Sequence, residues 1–140
     1  MIRTLQKADI NSVADIWLDT NIKTHNFIPA QYWKDNFETV KTMLSQADVY
    51  VYENSNKIEG FIGLNENYIA GIFVRNEAQS TGIGKQLLDF IKSIKQQLHL
   101  SVYQKNTQAV KFYQRENFHI QCENTDKNTN EKEYIMIWKQ

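Results

Sequence analysis

Gln79-Ser80-Thr81-Gly82-Ile83-Gly84-Lys85 lies between an apolar run and an amphipathic pattern, and this stretch decides the fold. The apolar run over residues 68–74 predicts a buried strand. After the stretch, isoleucine and leucine recur at helical spacing, which predicts a helix from about residue 83. Free N–H groups at a helix N-terminus form an anion site, and glycines let a phosphate approach because they have no Cβ atom. The stretch therefore predicts a pocket for a phosphorylated cofactor.

Three kinds of phosphate loop compete for this stretch. A Walker A loop needs a hydroxyl residue after its lysine, and Gln86 stands there. A Rossmann loop needs a third glycine where Leu87 stands. The third pattern, Gln/Arg-x-x-Gly-x-Gly/Ala, is satisfied in full by Gln79, Gly82 and Gly84. The strand before the loop and the helix after it favour this third pattern.

A second constellation follows downstream, with the form Asn-x-x-Ala-x-x-Phe-Tyr-x-x-x-x-Phe. Its members are Asn106, Ala109, Phe112, Tyr113 and Phe118. Together and in this order, the two patterns resemble the GCN5-related N-acetyltransferases (GNAT). The resemblance departs from the family at Ser80 and at Asn117, each of which stands where glycine is common. Asn tolerates left-handed backbone better than most residues, so the second turn survives the change.

The pattern of elements agrees with that resemblance. Strands are predicted at residues 2–5, 48–53, 58–64, 68–74, 98–102, 118–122 and 134–138, and helices begin near Asp9, Pro29, Gly82 and Asn106. Asp9 is the expected N-cap of the first helix, whereas residues 21–28 and 124–130 are expected to be irregular. The order βααβββαβαββ matches the GNAT (acyl-CoA N-acyltransferase) fold, an α/β fold around a mixed sheet. We expect residues 1–140 to form one such domain.

Composition narrows the function classes. Lys and Arg number 16 against 16 Asp and Glu, so the net charge of +0 gives no electrostatic argument for a nucleic acid or membrane partner. The single cysteine excludes a disulfide within the chain and suggests no zinc cluster. No signal-peptide pattern or bilayer-spanning apolar run is visible, so a cytoplasmic location is the expectation. We also expect that the protein binds no metal.

The resemblance implies acetyl-CoA as co-substrate. The expected pyrophosphate-binding residues are Gln79, Ser80, Thr81, Gly82, Ile83, Gly84 and Lys85, chiefly through their main chain. For Lys85, a solvated side chain is the alternative. The main chain of Ile72, Phe73 and Val74 is expected to hold the pantetheine arm as an added strand would. Asn106 is expected to bind the same arm, and it is also a natural helix cap.

The resemblance also gives Tyr113 a chemical role beside the thioester sulfur. A phenol is protonated at neutral pH and donates a proton to a departing thiolate. A buried structural tyrosine is the alternative. His25 is the candidate base because an imidazole titrates near neutral pH, with a structural or exposed histidine as the alternative. Acyl transfer needs such a base because an ammonium group cannot attack a thioester.

The acceptor site is expected where His25, Phe27, Tyr32 and Trp33 occur together. This segment resembles the small bacterial GNAT proteins that acetylate lysine, and Trp33 also fits a core stripe. An aromatic wall packs well against a cationic amine. The resemblance of this segment implies a protein lysine as the expected acceptor. A small-molecule amine and a non-catalytic acyl-CoA-binding module are the alternatives, and a nucleotide-binding protein is disfavoured because magnesium ligands are missing.

Overall fold

The computed structural model describes all 140 residues around a seven-stranded mixed sheet with the order β1-β2-β3-β4-β5-β7-β6. The strands are β1 (Ile2–Thr4), β2 (Asp48–Asn54), β3 (Lys57–Asn65), β4 (Tyr68–Val74), β5 (Gln97–Tyr103), β6 (His119–Asp126) and β7 (Glu131–Lys139). The helices are α1 (Ile10–Thr24), α2 (Ala30–Asp35), α3 (Phe37–Leu44), α4 (Ile83–Ile94) and α5 (Thr107–Arg115), with short 3-10 turns at Lys7–Asp9 and Asn76–Ala78. The prediction of an α/β protein with a mixed sheet is confirmed. None of the helices has the length and hydropathy needed to cross a bilayer.

Side chains alternate between the two faces of the sheet, and each face has its own core. On one face, Val49, Val51 and Phe61 pack with apolar residues of α1 and α3. On the other face, Ile62 and Leu64 pack with the apolar stripe of α4 and with α5. The helices therefore cover both faces of the sheet, with α1 and α3 on one face and α4 and α5 on the other.

Two predicted helix boundaries are wrong. The segment over residues 21–28 was expected to be irregular, but α1 continues through Thr24. The second predicted helix is divided into α2 and α3 at Asn36, whose side-chain amide donates to the Tyr32 carbonyl oxygen at 2.7 Å. A side chain that bonds its own backbone competes with helix continuation, which explains the break. The extension of α1 places Asn21 and His25 four residues apart on one helical face.

Two further predictions need correction. Asp9 lies at the N-cap position of α1 as predicted, but its side chain does not bond the helix, because its carboxylate accepts from Arg3 at 2.7 Å and from the Gln6 backbone N–H at 2.8 Å. The hydrogen bonds from Arg3 lower the pKa of Asp9. The predicted loop over residues 124–130 is shorter than expected, because β6 continues to Asp126 and only residues 127–130 form the turn before β7 begins at Glu131. This longer hairpin carries acidic side chains to the place where β4 and β5 separate.

The parallel strands β4 and β5 pair only at their beginnings. The first two residues of β4 pair with His99 and Leu100, and no pairing follows. Against its other neighbour, β3, strand β4 has an extra residue at Ala70. Such a bulge bends a strand and increases its twist. The two strands consequently diverge and leave a wedge-shaped gap in the middle of the sheet.

Candidate active site

A cleft of about 320 Å³ occupies the wedge between β4 and β5. It is bordered by residues 70–74 of β4, residues 101–103 of β5, the end of α1 and the beginning of α5. A separate cleft of about 450 Å³ lies between β1 and the end of α3, and none of the predicted site residues lines it. The cleft of about 320 Å³ is the candidate active site because its lining includes most of the predicted cofactor and catalytic residues outside the phosphate loop. Those residues are His25, Ile72, Phe73, Val74, Asn106 and Tyr113. Of the predicted phosphate loop, only Gln79 lines the cleft.

The β4 edge presents unpaired peptide groups to this cleft. Arg75 N donates to Glu59 O on β3 at 2.8 Å. In an antiparallel ladder, successive residues turn their peptide groups to opposite sides. With the register that pairs Phe73 with Phe61, the peptide groups of Phe73 point to β3 and those of Ile72 and Val74 point to the cleft. The Val74 carbonyl accepts from the Gln79 side chain, and the rest of this edge of β4 has no strand partner and can accept another extended chain.

The predicted phosphate loop has the backbone shape that its glycine pattern requires. Ser80 has a φ of 65° and Gly82 has a φ of 88°, both left-handed. Nothing lies within 4 Å of the position that a Cβ atom of Gly82 would take. The first amide groups of helix α4, which begins at Ile83, have no helical acceptor, and no side chain caps them. Gly84 lies in that first turn, with the Phe112 ring 3.8 Å from its Cβ position.

Two side chains of the loop stabilise its shape. Gln79 Nε2 donates to Val74 O at 3.0 Å, which ties the loop to the end of β4. Thr81 Oγ1 donates to Ala78 O at 2.6 Å. Because these side chains bond to the protein backbone, the main-chain N–H groups are the loop's available anion-binding groups.

The Lys85 ammonium group is already paired on the protein surface. It lies 3.1 Å from Glu116 Oε1 and 3.2 Å from Asp89 Oδ2, and hydrogen bonds to these carboxylates raise its pKa. The side chain is exposed, so both pairs are screened by solvent. This arrangement agrees with the alternative that the lysine is mainly a surface group.

Tyr113 reaches the cleft from α5. Its ring packs against Phe118 with centroids 5.5 Å apart, and only 8% of the residue is exposed. Burial raises the pKa of the hydroxyl, and nearby Tyr68 raises it further. The Tyr113 hydroxyl bonds no protein group, yet it is not among the fully buried polar atoms without a partner, of which Trp33 Nε1 is the only one. The hydroxyl therefore keeps access to the cleft that Tyr113 lines. The site therefore holds a phenol that is protonated at neutral pH.

A chain of hydrogen bonds crosses the cleft from α1 to α5. Asn106 caps α5, because its Oδ1 accepts from Ala109 N at 3.2 Å. Its Nδ2 lies 3.3 Å from His25 Nε2. On the other side of the ring, His25 Nδ1 lies 2.9 Å from Asn21 Oδ1, and Asn21 Nδ2 donates to Trp17 O at 2.9 Å. Burial lowers the pKa of His25 to about 4, so the ring is neutral at pH 7.

The predicted aromatic residues of the acceptor segment come together around the same imidazole. The rings of Trp33 and His25 stack with centroids 5.5 Å apart, and Phe27 and Tyr103 meet the imidazole edge-on at 5.7 and 5.1 Å. Tyr32 packs against Trp33 at 4.9 Å, which places it behind the wall that lines the cleft. Trp33 is 6% exposed and is therefore part of the core as well as of this wall.

The sequence patterns missed the two acidic residues of the site. Asp126 and Glu133 are the only charged side chains that line the cleft. Tyr103 Oη donates to Asp126 Oδ2 at 2.6 Å, and Asn124 Nδ2 donates to Glu133 Oε1 at 2.9 Å. Their only available signal was strand alternation through residues 119–133, which the polar composition concealed. No group of three or more His, Cys, Asp and Glu residues is arranged to bind a metal ion.

The fold and this site define an N-acetyltransferase, and residues 18–133 match the family described as "Acetyltransferase (GNAT) domain". The chain therefore belongs to the GNAT acetyltransferase family. The predictions of the family, of N-acetyltransferase activity and of acetyl-CoA as co-substrate are confirmed.

Known proteins of this family resemble the chain over its whole length. Peptidyl-lysine N-acetyltransferase YiaC of Escherichia coli (strain K12) is 36% identical over 99% of this chain and 96% of its own. Among solved structures, apo YjaB from Escherichia coli has a TM-score of 0.87 at 23% identity, covering 99% of this chain and 96% of that one. PaiA N-acetyltransferase of Thermoplasma acidophilum, solved with coenzyme A, has a TM-score of 0.83 at 17% identity, covering 100% and 98%. The two structural similarities concern the fold.

Proposed function

We propose that this acetyltransferase transfers the acetyl group of acetyl-CoA to the side-chain amine of a protein lysine. Residues 1–140 would act as one domain. The observation that carries the proposal is the cleft itself. Free main-chain groups and a protonated phenol meet at its donor side, and two carboxylates beside an aromatic wall close its other side.

The donor half follows from the free backbone groups. The uncapped amides at the start of α4, with the loop over residues 79–85, suit a diphosphate. From there the cleft edge of β4 leads inward, where the peptide groups of Ile72 and the N–H group of Val74 suit the amides of a pantetheine arm. Asn106 offers a carboxamide on the opposite wall. A thioester held this way would have its sulfur near the Tyr113 hydroxyl.

The chemistry requires one proton donor and one free amine. The amine nitrogen attacks the thioester carbonyl carbon, so a C–N bond forms and the C–S bond breaks. The thiolate takes a proton from Tyr113 Oη, and burial keeps that proton in place before the reaction. The attacking nitrogen loses one proton as the amide forms, and a proton taken up from solvent returns Tyr113 to its phenol form, so the step balances. An incoming lysine must lose one proton before attack, because its ammonium form has no lone pair. The role of His25 as the base for this step stays a prediction, and its contacts favour the different role argued below.

The acceptor half supports a cationic amine. Asp126 and Glu133 give the cleft a negative potential, and no Lys or Arg side chain lines it. The apolar stem of a lysine would pack on Trp33 while its nitrogen moves past the carboxylates toward the thioester. The relative with 36% identity is named a peptidyl-lysine N-acetyltransferase, which supports the same acceptor.

A thiol-release assay with acetyl-CoA tests the proposal. N-terminally blocked lysine peptides, polyamines and aminoglycosides are compared, with a norleucine peptide of the same sequence as the matched control. Release with the lysine peptide, none with norleucine and acetylation of the lysine Nζ by mass spectrometry are expected. Turnover only with small amines would favour a small-molecule enzyme. Tight binding of coenzyme A without turnover on any amine would favour a non-catalytic module.

The remaining predictions concern surroundings and partners. A cytoplasmic location and the lack of nucleic acid and membrane partners stay predictions. The two predictions about partners are supported by the balanced charge of 16 basic and 16 acidic side chains. A filter-binding assay with mixed RNA and DNA checks the nucleic acid prediction, and retention of either polymer would contradict it.

A further inference from the structure

The hydrogen bonds around His25 leave neither ring nitrogen free. Nδ1 is bonded to Asn21 on the same helix, and Nε2 is bonded to Asn106, which lies 81 residues away in the sequence. The ring faces are also occupied, by the stacked Trp33 and by Phe27 and Tyr103 edge-on. A proton acceptor for an incoming amine needs a nitrogen lone pair that faces the substrate. The observed contacts point His25 at protein groups instead.

The amide groups define which ring nitrogen carries the hydrogen. Asn106 Oδ1 accepts from Ala109 N, so the NH2 end of that amide faces His25, and Nε2 must accept. Asn21 Nδ2 donates to the Trp17 carbonyl, so the Asn21 oxygen faces His25, and Nδ1–H must donate. Each assignment is anchored by a backbone group with one possible role. The imidazole is therefore the neutral Nδ1–H form, with both neighbours complementary to it.

We propose that His25 is a positioning residue that orients the Asn106 carboxamide for the donor arm. This inference rests on the proposed function, in which Asn106 binds acetyl-CoA. The Asn106 Nδ2 atom has two hydrogens, and the imidazole takes one of them. The second remains for an amide carbonyl in the cleft, which Asn106 lines. Without the imidazole, the Asn106 carboxamide could rotate about its last side-chain bond. Each binding of acetyl-CoA would then have to order that carboxamide.

The position of His25 also couples the two halves of the cleft. Its ring belongs to the aromatic wall that we assign to the acceptor, while its Nε2 atom holds a group that we assign to the donor. A fixed wall and a fixed carboxamide are both conditions for a reactive alignment of amine and thioester. The imidazole meets these conditions by its shape and hydrogen bonds, with no gain or loss of a proton.

Two substitutions separate positioning from base catalysis. His25→Phe keeps an aromatic ring but removes both nitrogens. His25→Gln keeps one donor for Asn21 and one acceptor for Asn106, yet a carboxamide cannot act as a base. We expect His25→Phe to raise the Kd of coenzyme A and the KM of acetyl-CoA about fivefold to tenfold, the scale of one lost hydrogen bond. His25→Gln should restore both constants to within about threefold of the wild-type values, with the pH profile of kcat unchanged in shape.

A double-substitution cycle tests the route through Asn106. We expect Asn106→Ala to weaken coenzyme A binding about tenfold, and His25→Phe added to Asn106→Ala to cause no further loss. Multiplied effects would overturn the proposal, as would a loss of kcat in His25→Gln equal to that in His25→Phe. Melting curves of all variants exclude unfolding as the cause.

The wild-type protein gives two independent readouts. Nitrogen NMR of the histidine ring at pH 7 should show the neutral Nδ1–H form, and the Nε2–H form or a charged ring would overturn the proposal whatever the activity. Coenzyme A binding and thiol release by the wild type test the proposed function separately. If both are absent while the ring has the expected form, the acetyl-CoA role fails and the imidazole's structural position stands.

Discussion

Replacement of Tyr113 by phenylalanine isolates the proton that the thiolate needs. The substitution removes one hydroxyl group that bonds to no protein atom and leaves the ring packed against Phe118. Nothing in the core is lost, so the melting temperature should change by no more than about 2 °C. Coenzyme A affinity should also persist, because the proposed binding groups are main-chain groups and Asn106.

The expected loss in turnover follows from the chemistry of the leaving group. General acids contribute about 10²–10⁴-fold, and a thiolate is a tolerable leaving group even without a proton. The low end therefore applies. We expect kcat to fall about 10²-fold, which corresponds to about 2.7 kcal/mol of transition-state stabilisation. Because burial raises the pKa of Tyr113, the wild-type enzyme should show no alkaline loss of activity from this group below pH 9.

Thiol release at saturating acetyl-CoA and lysine peptide measures this effect. A single-turnover experiment confirms that chemistry limits the rate. Tyr68→Phe is the matched control, because Tyr68 also lines the cleft near Tyr113. Its kcat should stay within about threefold of the wild-type value, since it has no assigned role in proton transfer. Wild-type turnover in Tyr113→Phe, or equal losses in both variants, would refute the reasoning that places the leaving-group proton on residue 113.

Three further predictions concern pH, backbone strain and charge. His25 has a pKa near 6.5 when unfolded and about 4 when folded, so the unfolded state binds its proton first as the pH falls through this window. The free energy of unfolding should therefore drop by about 1–2 kcal/mol between pH 7.5 and 5 and be constant above pH 7. Urea unfolding checks this against His25→Gln, and an equal drop in both proteins would contradict it. Gly82→Ala places a Cβ atom at a φ of 88° and should cost about 1–2 kcal/mol. Gly84→Ala, in the first turn of α4, should cost nothing or stabilise the protein, and equal melting shifts would show that the backbone shape is not the reason for Gly82. Glu133→Gln should raise the KM of a lysine peptide about threefold to tenfold at low salt and weaken its salt dependence, because it removes one of two cleft charges. Glu123→Gln, on the exposed part of β6, is its control, and unchanged kinetics in both variants would leave the cleft charge without a role in acceptor binding.

The sequence was sufficient to predict those parts of the fold in which a segment determines its own conformation. The apolar run of β4, the glycines before α4 and the Asn106 cap each depend on neighbours within a few residues. The family pattern then agreed with the order of helices and strands along the chain. By contrast, the break at Asn36 depends on a side-chain bond to the Tyr32 carbonyl, and propensity alone does not reveal it. Asp9 has the residue type of a helix cap, yet Arg3 takes its carboxylate.

The position of the acidic side of the cleft depends on long-range pairing. Asp126 lies in a polar stretch that reads as a loop, and it becomes strand because residues 131–139 of β7 pair with it on one side and with β5 on the other. The wedge between β4 and β5 has the same origin. An extra residue at Ala70 turns β4 away after two paired positions, and no pattern within β4 shows how its neighbours are registered.

His25 shows why residue type is a weak guide to chemical role. An imidazole near the acceptor segment suggests a base, because its unperturbed pKa lies near neutrality. Two features change that inference. The continuation of α1 brings Asn21 beneath Nδ1 at 2.9 Å, and the packing of α5 brings Asn106 to Nε2 at 3.3 Å. Both partners are neutral amides, so neither stabilises a charged ring, and burial then favours the neutral form. A carboxylate at position 21 would have raised the pKa of the ring. With an amide at position 21, the imidazole stays neutral and links α1 to the start of α5 by hydrogen bonds.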